Sequence, residues 1–273
     1  MADDTKPLAG PVAFLLLARM WSRAAWQYRV SLVLTTVTQA LAASLDLAAL
    51  LVVYSQVHTL AGFTMPETLY LYGTTRLAFS LSDIVASGVE TLSDSIRLGT
   101  FDVYLIRPVA TLPQVLAEQF SPKRFGKVLS AAGTLAWAIA TLPVHWTAPK
   151  ILVCVGTVCC GFLIYCSVWV ITGTISFFAV DARESANAFT YGAETLTEYP
   201  FSVYSHPLAI GLTFALPLAF ITWQPSLYVL GHADPLGLPG FLRFAAPAVA
   251  AAMLLLAAAA WRFAIRHYRS TGS

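Results

Sequence analysis

Six apolar stretches, each long enough to cross a bilayer, run through this chain, and no water-soluble domain is left between them. A span of about 20 apolar residues matches a hydrocarbon core of roughly 30 Å. On that rule transmembrane spans are expected near residues 30–53, 68–89, 128–146, 151–180, 207–230 and 241–263. The predicted fold class is therefore all-α: one polytopic domain, residues 1–273, with six transmembrane helices. Composition agrees. Hydrophobic residues make up 58% of the chain and charged residues 11%, and the mean hydropathy of +0.70 excludes a soluble globule. The fifth span is the least regular, since Pro217 and Pro225 interrupt it; both are candidate hinges. No secretory signal is expected, because the start is acidic and Leu15–Leu17 is too brief an apolar run.

Orientation follows from lysine and arginine. With the N-terminus in the cytoplasm, the inner side holds Lys6, Arg19, Arg23, Arg29, Arg97, Arg107, Lys123, Arg124, Lys127, Arg183, Arg262, Arg266 and Arg269, thirteen of the sixteen basic residues. Lys150 and Arg243 fall outside, and Arg76 lies within a span. That bias places both termini inside. These are membrane-edge charges, so they imply a lipid bilayer as partner and no nucleic acid. Residues 11–29, with Trp21, Trp26 and Tyr28 among Arg19, Arg23 and Arg29, read as an interfacial helix in the cytoplasmic headgroup layer, with Pro11 in its first turn.

The longest polar segment, residues 90–127, and a second one, 181–206, fall on the cytoplasmic side. Outside, residues 225–240 are rich in proline and glycine and read as turns or a short re-entrant piece. The alanine-rich sixth span favours close helix packing. All four cysteines, Cys154, Cys159, Cys160 and Cys166, sit in the fourth span without histidine or carboxylate, so they read as apolar fillers and no metal site is expected.

The second span carries a polar stripe: Arg76, Ser80, Asp83, Ser87, Glu90, Asp94 and Arg97. Alternating steps of four and three keep these residues on one helical face. That face avoids lipid and meets either a water-filled path or other helices. The first span echoes it with Thr35, Gln39, Ala43 and Asp46. Asp46 lies roughly 6 Å outward of that span's centre at about 1.5 Å per residue, and Arg76 reaches a similar depth. An Asp46–Arg76 ion pair is expected, because an unpaired charge there costs at least about 2.5–3.5 kcal/mol; outward snorkelling of Arg76 is the alternative. Asp83 has no evident partner in sequence. It is a candidate for lining a translocation path, against a buried carboxyl bonded to a neighbour.

Enzymatic motifs are missing. The only Gly-Lys is Gly126-Lys127, followed by Val128, so no phosphate-binding loop is present and this chain carries no ATPase of that type. There is no His-Glu-x-x-His and no Gly-x-Ser-x-Gly.

Three segments resemble a known family. Gly99–Pro108 (GTFDVYLIRP), Glu194–Pro200 (ETLTEYP) and Pro217–Pro225 (PLAFITWQP), followed by Leu230-Gly231, are similar in content and order to the signatures of type-2 ABC transporter permeases of the six-span subfamily. Trp223-Gln224 and Ser226 depart from the common pattern. The resemblance implies a permease of an ATP-driven exporter, working with a second permease, identical or paralogous, and an ABC ATPase subunit dimer. ATP and Mg would sit on those partners and no cofactor on this chain. It also implies a multi-pass protein of the bacterial cytoplasmic membrane. The coupling helix of the family falls at about residues 100–116, within the cytoplasmic segment 93–127. There Gly99, Phe101, Asp102, Arg107 and Pro108 are the candidate ATPase-coupling residues, with Phe101 as apolar anchor, Asp102 and Arg107 as charges for a partner groove, and Pro108 as a fixed bend. The competing reading is an ion-coupled secondary transporter using Asp46 or Asp83.

Overall fold

Apolar runs with no proline beyond the first helical turn become the helices best suited to a membrane. The computed structural model describes residues 10–118, 120, 122–179 and 182–268; Lys6 and Arg269 lie outside the described residues. An N-terminal helix, α1 (Gly10–Gln27), leads into α2 (Arg29–Gln56). A tight hairpin at residues 59–64 then turns the chain into α3 (Met65–Ala86). Its two loop residues, Ala61 and Gly62, both have positive φ, the geometry that matches strand twist in a two-residue turn. A 3₁₀ stretch, Ser87–Thr91, continues α3 into α4 (Leu92–Arg97). Two short helices follow, α5 (Asp102–Ile106) and α6 (Thr111–Ala117), then α7 (Phe125–Thr141) and α8 (Ala148–Gly173). The chain closes with α9 (Ala182–Glu198), α10 (His206–Phe214), α11 (Trp223–Leu230) and α12 (Ala246–His267).

Among the described residues three helices are long and apolar enough to cross a membrane: α2, α8 with its 3₁₀ extension to Phe177, and α12. α3 packs most extensively on α7 and then on α8. Gly73 allows the first contact, because a Cβ there would lie 2.9 Å from the Leu135 backbone of α7. On the other side of α7, a Cβ on Gly126 would collide with the Thr36 carbonyl oxygen of α2. The centre of the bundle is aromatic: the Phe79 ring lies 5.1 Å from Tyr165, and the Trp169 ring 5.7 Å from Tyr191.

Two expectations are corrected here. Residues 181–206 are not a loop on one side. Arg183, at the start of α9, pairs with Asp94 below α3 at 2.7 Å, whereas Ser202, just past its end, donates to the Ala61 carbonyl of the hairpin at 3.1 Å. α9 therefore runs the length of the bundle. Residues 207–230, in turn, do not form one continuous helix. Phe201 stacks on Trp223 at 5.7 Å and His232 bonds Glu67 at 2.7 Å, so α10 begins and α11 ends at the same hairpin end. The two helices are bent by 76°. Their tip, Leu216–Leu218, sits beside Ile171 of α8, Ala193 of α9 and Met253 of α12. Pro217 lies at the bend, where it lacks the N–H that would continue α10. Pro225 is no break: it occupies the first turn of α11, where its missing donor costs nothing.

Candidate functional site

The polar face of α3 organises two charge clusters, one above the other. Nearer the hairpin end, Arg76 is gripped by three carboxylates. Asp46 of α2 lies 2.7 Å away, and Glu194 and Glu198 of α9 lie at 3.0 and 2.7 Å. The guanidinium also sits 5.3 Å from the Tyr72 ring centroid, a cation–π distance. The structure thus contains the Asp46–Arg76 contact, and it adds two glutamates to which no role was assigned from sequence. A cleft of about 170 Å³ opens beside this cluster, lined by Gln39, Asp46, Tyr72, Arg76, Ser80 and Glu194, among others. Ser80 is only 2% exposed, and its hydroxyl has no partner among the described residues.

Two turns further along α3 the second cluster is closed. Asp83 is fully buried and held by Arg124 and by Lys127 of α7, the latter at 3.2 Å. Arg124 also reaches Glu90 at 3.0 Å, and Tyr191 of α9 donates to Glu90 at 2.7 Å. Asp83 therefore does not line the cleft. Its partners stand some 40 residues away, on α7 and just before it, which is why sequence proximity gave none. Ser87 is wholly buried at the start of the 3₁₀ stretch with no hydrogen bond to its hydroxyl. Below it Asp94 bonds both Arg183 and Arg97, which completes the ladder.

The segment after α4 forms a braced protrusion. Gly99 adopts φ +71°, a left-handed conformation suited to glycine at a helix end, and the chain turns into α5. Phe101 is fully buried among the rings of Tyr104, Phe177 and Tyr268, 5.0–5.8 Å away. It anchors the loop to its own body and is not offered to a partner, which corrects the expectation for that residue. Asp102 likewise accepts from the Tyr268 hydroxyl at 2.9 Å. Gln114 of α6 braces the loop by donating to the carbonyls of Tyr104 and Val109, at 3.1 and 2.9 Å. Burial, together with the Glu118 carboxylate, raises the Tyr104 hydroxyl well above its usual pKa. What remains outward is apolar and basic: Leu98 (69% exposed), Val103, Ile106 (81%), Arg107 and Pro108.

Neither the curated proteins nor the solved structures compared with this chain give a match. The model of a family described as ABC-2 family transporter protein, however, matches residues 40–272, from the middle of α2 to the end of the chain. That stretch holds both charge clusters, the braced loop and every long apolar helix but the start of α2. The chain belongs to the ABC-2 transporter family, and is a multi-pass ABC permease, the membrane component of such a transporter.

Proposed function

We propose that this permease forms the translocation path of an ATP-driven exporter in a bacterial cytoplasmic membrane, together with a second permease and a separate ATPase dimer. Its six spans are α2, α3, α7, α8, α9 and α12, with α10–α11 re-entering from the outer side and both termini in the cytoplasm. The distribution of charge supports this orientation. Arg97, Arg107, Lys123, Arg124, Arg183, Arg262 and Arg266 gather at the end opposite the hairpin, and Lys150 and Arg243 lie at the hairpin end. The observation that carries the reading is the braced loop: a rigid base under Phe101 presents Val103, Ile106 and Arg107 at the basic end, the form of a docking edge.

ATP and Mg belong to the partner ATPases. When these close together they displace the loop, and α3 responds at the 3₁₀ joint of residues 87–91. A tightened stretch between two helical segments is a natural hinge. The motion is a population shift between inward- and outward-facing arrangements. Secondary transport through Asp83 finds less support, since that side chain is buried and clamped by two cations.

Arg107→Glu tests the docking role. It is expected to loosen co-purification of the ATPase, or to uncouple ATP hydrolysis from transport, while membrane insertion stays intact. Unchanged assembly and transport would refute it.

A further inference from the structure

The upper charge cluster does not balance. Arg76 alone faces Asp46, Glu194 and Glu198, which leaves two carboxylates in excess. The lower cluster forms no ion pair with it. Lys127 also borders the cleft, but it and Arg124 are matched by Asp83 and Glu90. Excess negative charge out of bulk water is costly unless a proton or another cation joins it. Asp46 is the carboxylate free to receive one, since its side chain is 55% exposed and reaches Arg76 from across the cleft. Other features of the cleft suit a bound cation as well. Tyr72 and Tyr191 line it, and aromatic faces attract cationic groups. Ser80, nearly completely buried on the cleft wall, keeps an unused hydroxyl oxygen there.

Size limits what enters. Sites that engulf a drug-sized ligand run to about 300–1,000 Å³, so about 170 Å³ holds a head group and little else. The apolar remainder of the ligand has side chains to meet beyond it, because Leu41 and Leu45 stand exposed together on the adjoining face of α2.

We infer that this cleft binds the cationic head of an amphipathic molecule, with Asp46 and Glu194 as counter-ions and Ser80 as a hydrogen-bonding or dipolar contact, and that the substrate class of this permease is organic cations. The inference deepens the permease reading and rests on it for transport, while binding is tested without partners or ATP. Purified full-length permease in nanodiscs is titrated with radiolabelled dodecyltrimethylammonium and, separately, with laurate, which has a similar tail and the opposite charge. Both are kept well below micelle-forming concentration, and uptake by empty nanodiscs is subtracted. Saturable binding of the trimethylammonium compound and none of laurate is expected. Asp46→Asn weakens it about tenfold or more, the order expected for losing one close counter-charge, and Asp46→Glu retains it. Ser80→Ala, a smaller change, weakens it severalfold. Laurate binding as tight as the cation's, or Asp46→Asn without effect, overturns the proposal. If the ATPase still co-purifies in that case, the permease reading survives and the substrate class alone fails.

Discussion

The two charge clusters on α3 are built from the same residue types, yet they differ in balance and in access. Around Asp83, two cations meet two carboxylates with Tyr191 as an added donor, and the assembly is closed between α3, α7 and α9. Around Arg76, one cation meets three carboxylates beside an open cleft, and α2 joins only through the exposed Asp46. A balanced, enclosed cluster has nothing left to offer a ligand, so its role is to fix helices in register. An unbalanced, accessible one keeps charge in reserve, and its geometry can respond when a ligand or a conformational change supplies the missing partner.

The sharpest way to break this comparison is Asp83→Asn. It strands Lys127 and weakens the grip on Arg124 at a position that is itself fully buried. Removing one partner from a buried ion pair costs about 3–5 kcal/mol. A fall in thermal midpoint of the purified permease, followed by tryptophan fluorescence, should reflect that; a change no larger than a surface mutation gives would mean the lower cluster is not the lock. Gly126→Ala addresses the closure of the same end. Its new Cβ meets the Thr36 carbonyl oxygen, a backbone atom that cannot rotate away, so α2 must move off α7. Overpacking of this kind costs about 1–3 kcal/mol, read in the same melting experiment. If the variant melts like the parent, the α2–α7 contact is looser than its geometry states.

Much of this contrast was legible in the chain, and what was not has identifiable causes. The periodic polar residues of α3 pointed to a shared face, and the depths of Asp46 and Arg76 suggested their pairing. Hydropathy also found α2, α8 and α12, whose charges lie at their ends or on a single face. It failed on α9. Arg183, Glu184, Glu194 and Glu198 make that helix look like a loop, because each charge is scored as if alone, whereas Glu194 meets Arg76 across 118 positions of sequence. The same blindness misread residues 207–230: apolar length was visible, but not that His232 returns to Glu67 at the end where α10 begins. Phe101, a loop phenylalanine beside Asp102, reads as free for a partner. Its burial depends on Phe177 and Tyr268, which no local pattern brings near.

Glu198→Gln sharpens the comparison from the other side. The amide oxygen still lies beside Arg76, two carboxylates remain, and one repulsive charge beside Glu194 is gone. The expected loss of stability is under about 1 kcal/mol, within the range of an ion pair whose removal is compensated. A destabilisation as large as that of Asp83→Asn would show that the upper cluster is also a lock and would remove the distinction between the two.

The most local effect belongs to the hairpin end, where a single carboxylate does structural work with one partner on each side. Glu67 accepts the Thr64 backbone N–H at 2.8 Å, closing the start of α3, and bonds His232 at 2.7 Å, holding the chain just past α11. Burial alone would raise its pKa, but the bonds from His232 and Thr64 outweigh it and hold the carboxyl below its ordinary value. A carboxylate depressed in the folded state contributes its full stabilisation above the unfolded pKa of about 4.3 and loses it as pH falls through the lower folded value. Acidification from about pH 6 to about pH 3 should therefore loosen this end by roughly 1 kcal/mol, the usual worth of a helix cap. Amide hydrogen exchange at residues 64–69, corrected for the intrinsic pH dependence of exchange, reads it locally. Glu67→Gln should show the loosened state at neutral pH and no further acid response, whereas an equal acid response in parent and variant would place the titrating group elsewhere.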